Sequence, residues 1–408
     1  MRFAKTISTA LLALTVSGCA DGGANGNTFT ARDSAGIHIV ENVAPAWSAG
    51  DVWELSQQPL VDIGGQAGDP DYELYRVSGA VRLPDGRIVI ANSGSGEMRF
   101  YDETGTHLLD AGREGEGPGE FSVISWVSRY RGDSIAAYDI RLMRVSVFDA
   151  EGQFGRSFPV RGMDASGRGR ALGVFDDGSV LVAAVVMTAP DDGSEGFRQK
   201  VPLYTVNPEG ESGDSMCTSP GDEMFVYSAG STTQGPSLVF FGPPMFARTT
   251  EYAIHGNRFY VAASDCYEVR VHERGGELQS MVRRQHDLIA VTDADIAAMR
   301  EERLGGDVPP GMRQTMVDVL DATPIRETMP AYDGVLVDRI GNLWVEEYRR
   351  PGDTVPRWTV FDTQGVMLGS LTVPDRFEIL DVGDDYVLGK WADELEIERV
   401  QMYELIKP

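Results

Sequence analysis

A turn followed by a short apolar run recurs six times along the chain. The copies are LPDGRIVIAN (83–92), YRGDSIAAYD (130–139), FDDGSVLVAA (175–184), HGNRFYVAAS (255–264), RIGNLWVEE (339–347) and VGDDYVLGKW (382–391). Each copy has Gly, Asp or Asn at the turn, and β-branched, aromatic or apolar residues follow. This pattern is typical of β-strands that are bounded by turns.

A second apolar run that ends in a tight turn follows most copies, as in residues 98–105 and 145–152. One further strand is expected before each copy and one after each second run, which makes four strands per repeat. The turn glycines Gly86, Gly132 and Gly178 are spaced by 46 residues. This spacing predicts an all-β fold, a six-bladed β-propeller of four-stranded blades.

The last copy lacks its outer strand, and a segment near the N-terminus can replace it. Residues 60–74 (LVDIGGQAGDPDYEL) resemble residues 108–121 (LLDAGREGEGPGEF) in spacing and in their Gly- and acid-rich loop. We therefore predict that an N-terminal strand at 60–65 closes the ring and leaves no exposed sheet edge. Residues 35–42 form a further predicted strand, which we place outside the ring.

Two insertions interrupt the repeat. Residues 211–244 are rich in Gly, Ser and Pro. In the second insertion, Thr292-Asp293-Ala294-Asp295 is typical of a helix start, and helices are predicted up to Leu304 and over 312–320. Blade one is the blade in which the two ends of the chain meet. Counted from it, this short helical insertion lies between blades five and six.

The N-terminus indicates export. Arg2 and Lys5 precede an apolar stretch that ends in Val16-Ser17-Gly18-Cys19, a run too short to span a bilayer. This ending resembles the bacterial lipobox, which predicts a signal peptide over 1–18, lipidation of Cys19, a flexible tether over 19–34 and a propeller domain over 35–408. Ala20 in place of Asp favours the outer membrane, on either face. The alternative is an ordinary signal peptide with a chance cysteine.

Net charge limits the classes of binding partner that we expect, and the cysteines raise the question of a disulfide. With 36 basic and 62 acidic residues the net charge is −26, which repels phosphate backbones and anionic lipids. We expect no nucleic-acid partner and membrane contact only through the lipid. Cys217 and Cys266 remain in an oxidising compartment, where a disulfide between them is expected and two free thiols are the alternative.

The repeat also carries a family resemblance. DGRIVIANSGSGEMRFYDETG (85–105), followed by GREGEGPGEF (112–121), resembles the NHL-type repeat of six-bladed propellers, and the likeness covers roughly residues 60–408. Within that group the chain looks like the exported bacterial six-bladed β-propeller lipoproteins. Related rings include lactonases, other metal-dependent esterases, an amidating lyase and binding scaffolds, so the resemblance implies a fold and leaves the function open.

No catalytic motif accompanies the repeat. The glycine-rich run 112–121 has no Lys-Ser/Thr pair and carries glutamates, which would repel a nucleotide phosphate. The sequence contains no HExxH, paired CxxC or GxSxG motif, and its five histidines are scattered. We assign no catalytic residue.

Aligning the repeats on their turns predicts a ring of polar residues at one face. The inner strands begin at Ser78, Ser125, Arg170, Thr249, Asp333 and Arg376, and the next strands end at Asn92, Asp139, Ala184, Ala263, Glu347 and Lys390. Strand alternation would direct the polar members into the channel mouth. In one interpretation they only line a water-filled channel.

In the other interpretation these residues bind ligands. Asn92, Asp139, Asp333 and Glu347 are then oxygen ligands for a hard cation such as Ca²⁺, the kind of set that the resemblance to lactonases implies. Ser78, Ser125, Arg170, Thr249, Arg376 and Lys390 form a ligand site, whose cations suit a carboxylate or a sugar acid.

We expect a monomeric module that binds or scaffolds an unidentified protein, small molecule or glycan. A metal-dependent hydrolase or lyase at the channel mouth is the alternative, and no cofactor is certain.

Overall fold

A computed structural model describes residues 28–48, 50–66, 68–162, 168–184, 196–229, 238–305 and 311–408. The first strands are β1 (Phe29–Ser34), β2 (Ile37–Asn42), β3 (Glu54–Leu55), β4 (Val61–Ile63), β5 (Val77–Arg82), β6 (Ile88–Asn92), β7 (Glu97–Tyr101) and β8 (His107–Ala111). They are followed by β9 (Ile124–Arg129), β10 (Ile135–Asp139), β11 (Arg144–Phe148), β12 (Phe154–Pro159), β13 (Gly169–Val174), β14 (Val180–Ala184), β15 (Phe197–Val206), β16 (Cys217–Ala229) and β17 (Leu238–Gly242).

The rest of the chain contains both helices. Its elements are β18 (Thr250–His255), β19 (Arg258–Ala263), β20 (Glu268–Glu273), β21 (Leu278–Arg284), α1 (Asp293–Gly305), α2 (Arg313–Ala322), β22 (Tyr332–Val337), β23 (Leu343–Glu347), β24 (Arg357–Phe361), β25 (Met367–Thr372), β26 (Phe377–Val382), β27 (Tyr386–Ala392) and β28 (Glu398–Ile406).

These strands form mostly four-stranded antiparallel sheets that follow one another along the chain. Sheet 1 is β5–β8, sheet 2 is β9–β12, sheet 3 is β13–β17, sheet 4 is β18–β21 with β2 and β1 at its outer edge, sheet 5 is β22–β25, and sheet 6 is β26–β28 with β3 and β4. The prediction of an all-β fold built from such sheets is confirmed.

A recurring Asx-x-x-Gly turn joins the third strand of several sheets to the fourth. In sheet 1 the Asp102 carboxylate accepts hydrogen bonds from the backbone N–H groups of Thr104 and Thr106, both at 2.9 Å. Gly105 follows with a φ of 89°, which favours glycine. Asp149, Asn207 and Asp362 make the same pair of bonds in sheets 2, 3 and 5. Local side-chain chemistry therefore sets where these strands turn.

Buried side chains fill the space between each sheet and the next. Separate clusters join sheets 1 and 2, 2 and 3, 3 and 4, 4 and 5, and 5 and 6. A sixth cluster packs Tyr386 and Leu388 of sheet 6 against Ile88 and Ile90 of sheet 1. The sheets therefore stand around a common axis, with their first strands innermost.

The N-terminal segment completes sheet 6, as predicted. In the β4–β28 pairing Ile63 lies opposite Val400 and Val61 opposite Met402, and all four side chains are buried. The strand predicted outside the ring is β2, which pairs in parallel with β21. The predicted tether needs correction, because residues 29–34 form β1 and pair with β2. The signal peptide, Cys19 and the first part of the tether lie outside the described residues.

Two helices, α1 and α2, lie between β21 and β22 along the chain. The Thr292 hydroxyl and N–H donate to the Asp295 carboxylate at 2.6 and 2.9 Å, and the Asp295 N–H donates back to the Thr292 hydroxyl at 3.3 Å. This reciprocal cap starts α1. In the described ranges, no helix is long and apolar enough to span a membrane. The earlier insertion, expected at 211–244, supplies β16 and β17 and so widens sheet 3.

The predicted disulfide is absent, and both Cys217 and Cys266 are free thiols. Cys217 packs into the cluster between sheets 3 and 4, where burial raises the pKa of its thiol. Cys266 lies exposed in the turn after β19. One thiol is therefore packed between two sheets, whereas the other lies at the surface.

Candidate ligand-binding site

One end of the ring gathers the residues that the repeats align. We call this end the mouth, defined as the end at which β5, β9, β13, β18, β22 and β26 begin. Val77 pairs with Asn92 there, Ile124 with Asp139 and Tyr332 with Glu347. The structure thus places the starts of the first strands beside the ends of the second strands, as predicted.

The second residue of each first strand lies at the mouth; it is unpaired at a register shift in sheets 1, 2 and 5 and paired with the second strand in sheets 3, 4 and 6. These residues are Ser78, Ser125, Arg170, Glu251, Asp333 and Glu378. The sequence alignment was therefore wrong by two positions in sheets 4 and 6. Thr249 precedes β18, where its N–H donates to the Ser264 hydroxyl at 3.0 Å, and Arg376 precedes β26 with a φ of 56°. Loops of unequal length before these strands caused the shift.

Two of the predicted metal ligands hold the backbone together. Asp139 is fully buried, and its carboxylate accepts four backbone N–H bonds, from Ser122, Val123, Arg141 and Leu142. Asn92 is also buried. Its Oδ1 accepts from the Tyr75 N–H at 2.7 Å, and its Nδ2 donates to the Ser95 hydroxyl at 2.9 Å. Both side chains form hydrogen bonds with the loops that lead into and out of a sheet. Their oxygen atoms are therefore already engaged and do not coordinate an ion.

A third predicted ligand, Glu347, points away from the mouth. Its carboxylate lies between sheets 4 and 5 and accepts from Arg284, from Thr359 and, at 2.9 Å, from the Tyr267 hydroxyl. Burial, followed by the charge of Glu347, raises the pKa of Tyr267. Side chains alternate along a strand, so the preceding residue, Glu346, faces the opposite way.

Carboxyl groups with raised pKa values gather at the mouth. Burial raises the pKa of Asp333 to about 6, opposed by the Arg349 N–H at 3.0 Å and by the Arg349 charge. Burial likewise raises the pKa of Glu346 to about 7, opposed by Arg349 and reinforced by Asp333 and Glu378. Crowded, partly dehydrated carboxyl groups hold their protons more tightly.

Glu251 extends this cluster toward sheets 3 and 4. Burial raises its pKa, and the charges of Asp222 and Asp333 act in the same direction, whereas Arg170 opposes them. We call Glu251, Asp333, Glu346 and Glu378 the mouth carboxyls. The sequence analysis missed all of them except Asp333. An acid at the second position of β18, β22 and β26 was the signal that could have identified two of the three, Glu251 and Glu378.

The basic and hydroxyl groups at the mouth are fewer. Arg170 is exposed, and Lys390 Nζ lies 2.7 Å from Glu378 Oε2, so that lysine is already paired. The Ser78 hydroxyl is buried and, within the part of the chain that the structure covers, has no hydrogen-bond partner. Ser125 is half-buried at the same level. Arg376 and Arg349, whose Nη2 lies 3.4 Å from Glu346 Oε1, are further exposed cations at this end, so the acidic character of the mouth depends mainly on Glu251 and Asp333.

The cation site predicted from the sequence is not assembled. Ca²⁺ requires six to eight oxygen ligands around one point, whereas Asn92, Asp139 and Glu347 are engaged elsewhere. Among the described residues, the one group of three potential ligands within 4.8 Å of one another is Asp71, His107 and Asp110, on sheet 1. Arg99 Nε lies 3.8 Å from Asp110 in that group, which disfavours a cation there.

Comparison with known proteins identifies the fold. No family model and no curated protein matches the chain. A protein of Bacteroides fragilis that is named as exported has a similar structure, with a TM-score of 0.50, 13% identity and coverage of 90% of this chain and 100% of that one. A DUF4221 family member from Bacteroides vulgatus also has a TM-score of 0.50, with 10% identity and coverage of 87% and 99%.

A gluconolactonase from Xanthomonas campestris has a TM-score of 0.40, with 13% identity and coverage of 82% of this chain and 88% of that one. The two structures with a TM-score of 0.50 are β-propeller proteins. Together with the succession of mostly four-stranded sheets, they show that this chain folds as a β-propeller.

Proposed function

We propose that this protein is an exported, lipid-anchored six-bladed β-propeller that binds a ligand or partner protein at the mouth. The blades are sheets 1 to 6, and α1 and α2 are an insertion between sheets 4 and 5, which are blades five and six when sheet 6 is counted first. The V-S-G-C ending at Cys19 supports the anchor, and the clusters between successive sheets support a closed ring.

The mouth carboxyls are the observation that carries this proposal. They come from sheets 4, 5 and 6 and converge where the first strands begin. Glu251, Asp333 and Glu346 are partly dehydrated and Glu378 is exposed. This group of acids favours a ligand with a positively charged group, such as an amine or the basic side chains of a partner. The earlier expectation of a carboxylate ligand depended partly on Arg376, which Glu378 replaces at this position.

A hydrolase or lyase at the same mouth is the second candidate. The raised pKa values of Asp333 and Glu346 favour it, because a carboxyl group that titrates near neutrality can act as a general acid or base. We assign no substrate to it.

The test is binding of a cationic probe to the full-length chain, purified in mild detergent. Spermidine and an arginine-rich peptide are titrated calorimetrically at pH 5 and pH 8. We expect tighter binding at pH 8, where Asp333 and Glu346 are ionised, and a loss of about tenfold in affinity in Asp333→Asn.

Asp133→Asn is the matched control, because Asp133 is exposed in a turn at the other end of the ring. Equal binding by wild type and Asp333→Asn at both pH values would contradict a cation-binding mouth. Turnover of a lactone or ester panel that depends on Asp333 or Glu346 would support the enzymatic candidate instead.

A further inference from the structure

A separate cavity lies at the opposite end of the ring, where the first strands end. It has a volume of about 460 Å³ and is open to solvent. The ends of β9, β13 and β18 and the turn after β22 form its walls. Its wall residues include Arg129, Tyr130, Arg131, Phe175, His255 and Arg339. Cavities of this size hold small molecules in many proteins.

Arg129 is the central cation of this cavity. Its Nε donates to the Arg82 carbonyl at 2.6 Å, and a second guanidinium nitrogen donates to the same oxygen. Among the residues described here, no carboxylate lies within ion-pair distance of Arg129. Burial lowers its pKa, the charges of Arg339 and Arg82 act in the same direction, and Tyr386 and Asp381 oppose them. This guanidinium therefore lies among other cations, with Asp381 nearby but not in ion-pair contact with it.

The carboxylates nearby are already engaged. Asp381 is buried and accepts from Arg339 Nε at 2.8 Å, from the Arg82 N–H at 3.1 Å and from the Tyr386 hydroxyl at 2.8 Å. Asp385, on the rim, lies 3.5 Å from Arg82. Asp176 is the one acid among the cavity's wall residues, and Arg131, which is exposed, adds a further positive charge.

This local excess of positive charge occurs in a chain with a net charge of −26. The net negative charge of the protein repels anions from most of its surface. A cavity lined by arginines is therefore a place where an anion can bind. The planar guanidinium group binds carboxylates and phosphates through paired hydrogen bonds. Tyr130, Phe175 and His255 provide ring surfaces against which the rest of a small molecule can pack.

We propose that this cavity binds a small molecule bearing an oxyanion, either a carboxylate or a phosphate. Arg129 is its principal contact, and Arg131 and Arg339 line the same site. The site is independent of the mouth and of the function proposed for it. The protein thus presents an acidic binding surface at one end of the ring and a basic cavity at the other.

The test compares three probes of the same size class on the full-length chain in mild detergent at low ionic strength. Glucuronate carries a carboxylate, glucose 6-phosphate carries a phosphate, and glucose carries neither. We expect saturable binding of at least one anionic probe and none of glucose. The anion that binds more tightly identifies the oxyanion class.

Two cavity variants and one control complete the experiment. Arg129→Gln should weaken binding of the anion at least tenfold, and Arg131→Gln several-fold. Arg32→Gln, at an exposed arginine of β1, should bind like wild type. If Arg129→Gln does not fold, the exposed Arg131 decides the question. Absence of binding by both anions, equal binding of glucose, or unchanged affinity in the cavity variants would overturn the proposal.

Discussion

Asp139 and Asp333 stand at the same end of the ring, yet their surroundings give them opposite properties. Asp139 receives four backbone N–H bonds, which satisfy both of its oxygens. Asp333 receives one, from Arg349, and sits among other carboxyl groups. A carboxylate whose oxygens all accept backbone hydrogen bonds stabilises the fold. A carboxylate with free acceptor positions can exchange a proton or bind a cation.

The first prediction concerns Asp139. Replacing it with Ala removes a buried carboxylate that accepts four backbone N–H bonds, so we expect Asp139→Ala to lower the free energy of unfolding by about 3 kcal/mol. Urea denaturation measures this change. Asp133→Ala, in an exposed turn, should alter stability by less than about 0.5 kcal/mol. If Asp139→Ala instead unfolds at the wild-type urea concentration, the carboxylate has no structural role.

The second prediction concerns the pH dependence of stability. Folding raises the pKa of Asp333 to about 6 and of Glu346 to about 7, so the folded protein binds more protons than the unfolded chain between about pH 4 and pH 7. These groups therefore cost stability as the pH rises through that window. Glu346→Gln, which imitates the protonated acid, should match wild type near pH 4 and melt at a higher temperature at pH 8.

Melting temperatures across this pH range provide the measurement, with Glu394→Gln, an exposed residue of the β27–β28 loop, as the control. Only the difference between variant and wild type is compared, because other carboxyl groups titrate as well. If the difference in melting temperature between Glu346→Gln and wild type stays constant from pH 4 to pH 8, folding does not raise the pKa of Glu346.

At the scale of elements, the three-residue strand β4 completes the last sheet and packs against the first. It covers the edge of β28 and buries Val61 and Ile63, both of which pack against sheet 1. Uncovered edges pair with other chains, so this short strand also protects the protein from aggregation.

The third prediction follows from that arrangement. Ile63 is fully buried, and Ile63→Ala should lower the free energy of unfolding by about 3 kcal/mol through lost contacts and a cavity. Leu60→Ala, three residues earlier and exposed, should have little effect. Removing residues up to Gly65 should produce aggregation, detectable by light scattering. A truncated protein that stays monomeric and melts like wild type would refute closure by β4.

At the scale of the whole molecule, the two ends of the ring differ in charge. The mouth carries Glu251, Asp333 and Glu346, and the opposite end carries Arg129, Arg131 and Arg339. The ring holds the two sites apart, so a variant at one end should leave binding at the other unchanged. The titrations proposed above test this separation directly.

The fourth prediction concerns the anchor. If Cys19 carries the lipid, Cys19→Ser should move the protein from the membrane fraction to the soluble extracytoplasmic fraction, because acyl chains provide the membrane affinity. Immunoblotting of fractionated cells measures the distribution. Cys266→Ser, at an exposed free thiol, is the matched control and should remain with the membrane. Unchanged membrane association of Cys19→Ser would exclude a lipid anchor at this cysteine.

The turns, the strands and the pairing of residues 60–65 with the last strand could all be read from the sequence. They depend on local chemistry and on periodic apolar positions, such as the Asp102 turn and the alternation in β6. The capped start of α1 was equally visible, because Thr292 and Asp295 are three residues apart.

The composition of the mouth was decided by the tertiary structure. A shift of one residue turns a side chain to the other face of a sheet, so the sequence pointed to Glu347 where the fold presents Glu346. Loops of unequal length concealed Glu251 and Glu378 through a shift of two positions, which keeps the face of the sheet but changes the residue. The predicted oxidising compartment favoured a disulfide between Cys217 and Cys266, but Cys217 packs between sheets 3 and 4 whereas Cys266 is exposed in the turn after β19. Local pattern specifies which segments form strands, whereas register, bulges and packing between sheets determine which side chains meet.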